Sequence, residues 1–385
     1  MTRYVATAAG VVMMAGMGGI YAWSAFAGRL REAFGYERWQ MQLVFGTCIC
    51  VFTGSLIFIG RLHDRFGPRP LAVACGVLLG AGYLLASASA DNFPLLWLGI
   101  GVLGGLGNGA GYVCPIATGA KWFPTRRGLI AGLAVAGYGG GAIALKAIQW
   151  ALSSRGWEVL AVFRAVGLLY GPVIVVAGLF LFTPARPASH EHADFRQARL
   201  FVDRRFWWLA LTFFCATLPG LLVLGTAEDL GAYYGFAAVA ELAIVAVAVG
   251  NVTGRVTGGM LYDRLGNHKT VLMLLTLVMF SMAGVLLGRI HPWLFLASLA
   301  FVLWCYGGAL AVYPAEVAHL WSPHLLGSVY PLVLFFHGIG AISGPPLFGL
   351  ARQLTGRYEP GFAAAALVPL IGLLLHVRLR RRIAS

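Results

Sequence analysis

Arg255 is the residue of this chain with the most chemistry to offer. It lies in residues 247–270, VAVGNVTGRVTGGMLYDRLGNHKT, a stretch that runs from inside an apolar helix to a charged turn. Asn251 stands one helical turn before it, on the same face. A guanidinium at this depth is costly, and its pKa is too high for it to escape by losing a proton. Such a residue faces a bundle interior, where its planar fork of donors suits a carboxylate held bidentately. Two readings stay open, a ligand-binding cation and a structural ion pair. The flanking helices offer few buried acids, which favours the ligand.

Other polar residues stand at similar depth. His337, in LFFHGIG, falls near the middle of its apolar run, with Gly338 and Gly340 leaving room around it. A lone histidine there is either a neutral packing residue or a proton site, because its unperturbed pKa of about 6.5 lets it change charge near neutral pH. Close to Arg255 its proton would be disfavoured until an anion arrived, so carboxylate and proton would favour each other's binding. Glu241, nearer the outer end of its span, is the alternative proton site. Lys146, at the end of GYGGGAIALK, either snorkels to water or headgroups or adds positive potential to an anion path. Asn108 and Tyr112, one turn apart, either bond a neighbouring helix or line a cavity. Tyr21, in GMGGIYAWSAF, belongs either to a polar contact set or to the interfacial aromatic belt.

The elements that must carry these residues are membrane helices. Of 385 residues, 59% are hydrophobic and 11% charged, far from the roughly 25% charged of a soluble domain. Apolar runs of about twenty residues recur along nearly the whole chain, each long enough to cross a bilayer. The net charge of +14 does not point to nucleic acid, because the basic residues sit in short loops between spans. With the N-terminus inside, the inner loops hold Arg61, Arg65, Arg69, Lys121, Arg126, Arg127, Arg186, Arg196, Arg199, Arg204, Arg205, Arg264 and Lys269, and the tail adds Arg378 and Arg380 to Arg382. The outer loops hold fewer, such as Arg29, Arg31, Arg155 and Arg289, and the bias puts both termini in the cytoplasm. The six cysteines lie in apolar spans and read as small buried hydrophobes rather than disulfides or metal ligands.

The first apolar stretch, residues 4–28, is too long and aromatic for a signal peptide and is read as helix 1. Helices 2 to 6 are expected at 42–60, 71–88, 94–116, 129–152 and 160–182. In the fourth, Gly101, Gly105 and Gly109 form a packing stripe at four-residue spacing. Residues 184–206 turn polar and divide the chain into halves of similar length. Helices 7 to 12 follow at 207–225, 238–261, 271–287, 293–313, 330–350 and 362–377. The reading is an all-α polytopic membrane protein of twelve helices. Its domains are an N-terminal six-helix bundle over 1–183, a cytoplasmic central loop over 184–206, and a C-terminal bundle with a short basic tail over 207–385.

A repeat supports this division. HDRFG at 63–67 matches YDRLG at 262–266, at equivalent turns of the two halves. Each aspartate (Asp64, Asp263) is followed by an arginine (Arg65, Arg264) and preceded four residues earlier by a glycine (Gly60, Gly259). Gly67 and Arg69 complete the first copy. Such a turn is expected to need small residues for close packing, and its acid can latch to a neighbouring helix terminus.

GRLHDRFGPR resembles the loop 2–3 signature of the major facilitator superfamily, and the second copy is similar though degraded. The resemblance covers the whole chain and implies two six-helix bundles with a central site that rock to alternate access. More narrowly, YAWSAF, GYGGGA and CYGGALAVYPAE (305–316) resemble the oxalate/formate antiporter family, a bacterial and archaeal relative of the animal monocarboxylate transporters. That resemblance implies that Arg255 grips the substrate carboxylate, with Tyr306 as the helix 10 aromatic and Tyr21 and Tyr112 as further contacts. Two departures stand out. Where the oxalate exchanger carries a lysine in helix 11, this chain has His337, and where monocarboxylate transporters place an acid one turn before the helix 8 arginine, it has Asn251.

The expected function is secondary transport of a small monocarboxylate of the lactate, pyruvate or formate class by alternating access, proton-coupled or by exchange. The runner-up is an oxalate/formate-type antiporter with His337 protonated as second cation, and a membrane sensor is the non-transport alternative. No nucleophile–base pair, metal spacing or phosphate loop appears, so neither an enzyme nor a cofactor is expected. The expected partners are a small organic anion, protons if transport is coupled to them, and membrane lipids. The expected setting is a bacterial or archaeal cytoplasmic membrane, with the protein a monomer.

Overall fold

The computed structural model describes residues 2–123, 127–183, 200–321 and 325–384. The chain divides into two compact units, Met1–Asp194 and Phe195–Ser385. The first holds α1 (Thr2–Met17), a 3₁₀ segment (Gly18–Ala22), α2 (Ser24–Phe34), α3 (Arg38–Phe66) and α4 (Pro68–Ala86). It continues with α5 (Phe93–Leu96), a π-helical segment (Trp97–Leu103), α6 (Gly104–Trp122), α7 (Arg127–Ser153) and α8 (Val159–Leu179). The second holds α9 (Arg204–Tyr233), α10 (Ala237–Leu265), α11 (Asn267–Leu287), α12 (Pro292–Trp321), α13 (Leu326–Thr355) and α14 (Glu359–Ala384). Eleven spans among the described residues are long and apolar enough to cross a membrane, and the 27-residue α7 completes twelve. Helices satisfy every backbone group internally, which hydrocarbon demands.

Most helices run past their apolar stretches. The helix expected over 207–225 begins at Arg204 and ends at Tyr233, and the one expected over 330–350 covers Leu326–Thr355. Hydropathy marks only the part in hydrocarbon, while the backbone ladder continues into the polar ends. The first span departs more. Instead of one helix over 4–28, α1 stops at Met17 and the chain tightens into a 3₁₀ turn before α2. The reason is close approach: a Cβ at Gly18 would run into the Tyr138 carbonyl of α7, and one at Gly141 into the Ala15 carbonyl. Arg126, Arg186, Arg196 and Arg199, with most of the expected central loop, lie outside the described residues.

The two signature turns share a backbone. α3 closes on Gly67 at φ +76° and α10 on Gly266 at φ +77°, each donating its N–H to a carbonyl four residues back (His63, Tyr262). Glycine takes this left-handed region without the penalty a Cβ brings, so the helix ends and the next begins at once with Pro68 or Asn267.

Candidate functional site

In the second unit, α10 and α12 lie backbone against backbone. Cβ atoms at Gly250 and Gly254 would run into the carbonyls of Ala300 and Trp304, and one at Gly258 would sit 2.6 Å from the Gly308 Cα. On the other side, a Cβ at Gly307 would run into the Asn251 carbonyl and lie 3.1 Å from the Arg255 nitrogen. The stripe at 250, 254 and 258 is a small-residue seam, and it fixes where Arg255 and Asn251 stand. Both are buried, at 9% and 1% exposure. Arg255 Nε donates to Asn251 Oδ1 at 3.0 Å.

Two further side chains reach the same region of this unit. Tyr306 of α12 is fully buried with its ring seated on Gly220 of α9, where a Cβ would come within 2.5 Å of Cδ2. Its hydroxyl lies 3.3 Å from His337 Nε2 of α13, the donor depending on the histidine tautomer. The Phe213 ring flanks His337 with centroids 6.0 Å apart. Asn251 Nδ2 and His337 Nδ1 are buried and meet no hydrogen-bonding atom among the described residues. A buried polar group left in that state costs about 1–3 kcal/mol, so a partner for either atom would be favourable. An amide N–H asks for an acceptor, and a guanidinium beside it asks for that acceptor to be negative.

The first unit holds a polar and aromatic group of its own. Tyr138 OH donates to Asn108 Oδ1 at 2.9 Å, and Asn108 Nδ2 donates to the Gly104 carbonyl at 2.8 Å. Asn108 therefore does both things expected of it: it bonds a neighbouring helix, and it lines a narrow cavity with Met17, Ile20, Cys48 and Tyr83. The Tyr138 ring meets Tyr21 edge-on at 5.4 Å and 84°, and Tyr112 at 5.5 Å and 88°. Phe52 closes the box, 5.2 Å from Tyr112, and edge-to-face pairs of this kind favour a fixed geometry. Tyr21 is buried at 4% exposure, so its ring faces the inside of the unit rather than its outer surface. Lys146 is 7% exposed rather than snorkelled free.

Sequence reasoning missed three features. Tyr138, the hub of the aromatic box, lies inside GYGGGA, where the glycines drew attention and the tyrosine did not. The glycines at 250, 254 and 258 were legible from their four-residue spacing. Glu316, at the end of CYGGALAVYPAE, is 2% exposed and accepts from Tyr262 OH and Asn267 Nδ2, both at 3.1 Å. It clamps the second signature turn.

The first signature turn behaves differently from expectation. A Cβ at Gly60 or Gly259 would meet nothing within 4 Å, so neither glycine serves close packing, which falls to Gly258 and its partners. The Asp64 side chain is 75% exposed and lies 3.7 Å from His63 Nδ1. Arg65 lies over the Phe66 ring at 5.1 Å and Arg69 over Phe182 at 4.1 Å. Asp263 and Arg264 are exposed. The cysteines are free thiols, and among the described residues no group of three or more His, Cys, Asp or Glu could hold a metal ion.

A family model described as Major Facilitator Superfamily matches residues 8–287. An uncharacterized MFS-type transporter of Escherichia coli (strain K12), YhjX, is 30% identical over 349 residues, which cover 89% of this chain and 86% of the relative. The oxalate:formate antiporter of Oxalobacter formigenes is 27% identical over 382 residues, 95% of this chain and 88% of that one. Monocarboxylate transporter 13 of Bos taurus is 29% identical over 338 residues, 81% and 73% of the two chains. Among solved structures, a mutant of the nucleoside transporter NupG aligns with a TM-score of 0.76 at 13% identity, covering 98% of this chain and 99% of that one, a likeness of fold alone.

Proposed function

The chain belongs to the Major Facilitator Superfamily and is an integral membrane transporter rather than an enzyme, and from that premise we propose that it moves a small monocarboxylate by alternating access. The observation that carries this reading is the buried Arg255–Asn251 pair, with Asn251 Nδ2 meeting no acceptor among the described residues. A carboxylate oxygen supplies that acceptor while its charge meets the guanidinium. One arginine suits one carboxylate, and Tyr306 bonds the remainder of a small polar substrate. The relatives named for monocarboxylates and for oxalate and formate support the same substrate class. In this reading His337 carries the proton of a symport cycle: its Nε2 is engaged by the Tyr306 hydroxyl, its Nδ1 meets no hydrogen-bonding atom among the described residues, and an anion arriving beside an imidazole favours its charged form. In this reading the signature turns face the cytoplasm, as the loop charges favour.

A second reading is favoured by the same Nδ1: with His337 protonated the cluster holds two cations, which suits oxalate. A thermal-shift series on the purified protein separates the two, because a ligand stabilises the state it binds by mass action. Lactate, pyruvate and formate raising the melting temperature above oxalate supports the monocarboxylate. Oxalate leading at low pH supports the second reading, and no shift with any of the four contradicts both.

A further inference from the structure

The two signature turns are copies, and the group that closes one is missing from the other. Residues 199 apart correspond, as Asp64 does to Asp263, Pro115 to Pro314 and Trp122 to Trp321. By the same step His63 stands where the second copy has Tyr262, Pro68 where it has Asn267, and Ala117 where it has Glu316. In the second unit the buried Glu316 carboxylate accepts from Tyr262 OH and Asn267 Nδ2, both at 3.1 Å. It thereby ties α12 to the end of α10 and the start of α11. In the first unit Ala117 brings no acceptor and Pro68 no donor, yet a donor remains on α3. His63 is 5% exposed, and its Nδ1 lies 3.7 Å from the exposed Asp64 carboxylate. Its buried Nε2 meets no hydrogen-bonding atom among the described residues.

The second unit shows which chemistry fills this place, a carboxylate accepting from the side chain at the position of His63. Imidazole Nε2 donates in its charged form and in one neutral tautomer. Lys121 follows Ala117 by one helical turn on the same face of α6. It is exposed and meets no carboxylate among the described residues. We propose that the first signature turn is a second anion site, in which a small carboxylate accepts from His63 Nε2 and Lys121 meets its charge. Once bound, it clamps the first turn as Glu316 clamps the second. The inference takes the class of anion from the carboxylate reading above but uses neither Arg255 nor its cluster. The charge bias of the loops puts the turn on the cytoplasmic side, so the anion it senses is the one inside the cell.

Melting curves of the purified full-length protein test this, with sodium lactate as probe and sodium chloride at equal ionic strength as the blank. Arg255→Lys, which should lose the other carboxylate site, isolates this one. At ~100 mM, about tenfold over a half-saturation of ~10 mM, lactate should still raise the melting temperature of Arg255→Lys by roughly 3–6 °C over the blank. Adding His63→Leu should remove that rise, and an imidazole whose Nε2 has no partner is lost at little cost to the fold. Adding Ala117→Glu instead should raise the melting temperature without lactate and remove the further rise with it, because the installed carboxylate takes the place. A rise that survives His63→Leu, one that chloride matches, or an Ala117→Glu protein that is not stabilised and keeps the rise overturns the site. If lactate raises the parent but not Arg255→Lys, this inference alone falls. If the rise is equal in the parent and Arg255→Lys and vanishes with His63→Leu, the site stands and the role of Arg255 falls. No rise in either protein overturns both.

Discussion

Gly258 and Gly259 are neighbours on α10, and alanine at each should have opposite consequences. A Cβ at Gly258 would lie 2.6 Å from the Gly308 Cα and 3.1 Å from its carbonyl oxygen, backbone atoms with no rotamer through which to yield. Ordinary contact begins near 3.4 Å, so α10 and α12 must part by about 0.8 Å along the seam that positions Arg255. Overpacking of this order costs about 1–3 kcal/mol, and for a unit of this size that lowers the melting temperature by roughly 2–12 °C. Gly259→Ala meets nothing within 4 Å and should leave stability unchanged or raise it by up to ~1 kcal/mol, since alanine is the better helix former. Melting curves of the three proteins in one detergent are the assay, with carboxylate affinity read on the same samples. Because the parting displaces Arg255 relative to Tyr306, Gly258→Ala should also weaken carboxylate binding. A melting temperature for Gly258→Ala within about a degree of the parent, or an equal loss at Gly259, refutes the seam as described.

Two further outcomes follow from the charged and titratable groups. His337→Gln should retain carboxylate binding but lose the pH dependence of affinity between roughly pH 5 and 8, measured by ligand titration across that range; an unchanged profile returns His337 to packing and moves the proton to Glu241. At the start of α9, burial alone would raise the Asp203 carboxyl, but hydrogen bonds from Arg205 and from Trp321 Nε1 (3.0 Å) hold it below its ordinary 3.8. A carboxyl depressed in the folded state contributes stability above its unfolded pKa and loses it as pH falls through the folded one. The melting-temperature advantage of the parent over Asp203→Asn should therefore be full at pH 6 and shrink steadily below about pH 4; a gap that stays constant down to pH 3 contradicts the assignment.

Much of this architecture was legible because a membrane simplifies the code. Apolar runs mark spans, and the duplicated HDRFG and YDRLG turns mark the two halves. Arg255 and Asn251 could be paired from spacing alone, because four residues bring side chains to one face whatever surrounds them. The break in the first span was not legible, since it follows from Gly18 meeting the Tyr138 carbonyl some 120 residues away, and hydropathy carries no record of such contacts. The same limit hid Glu316, whose partners Tyr262 and Asn267 are brought to it only by the fold. Gly60 and Gly259 show the opposite error: small residues beside a turn suggested close packing, while the seam ran through Gly258 one position away. At 100° per residue, one position is enough to turn a packing residue outward.

In the proposed function Arg255 grips a carboxylate with its fork of donors, oriented by Asn251. The most direct test is the dissociation constant of the purified protein for lactate and oxalate, compared between the parent and Arg255→Lys. Lysine keeps the charge but offers a point rather than a planar pair of donors, and the loss of a charge-assisted hydrogen bond is worth about 1.5–3 kcal/mol. Affinity should weaken by roughly tenfold to a hundredfold or more, with the fold intact by melting temperature. Equal affinity in the two proteins would contradict it.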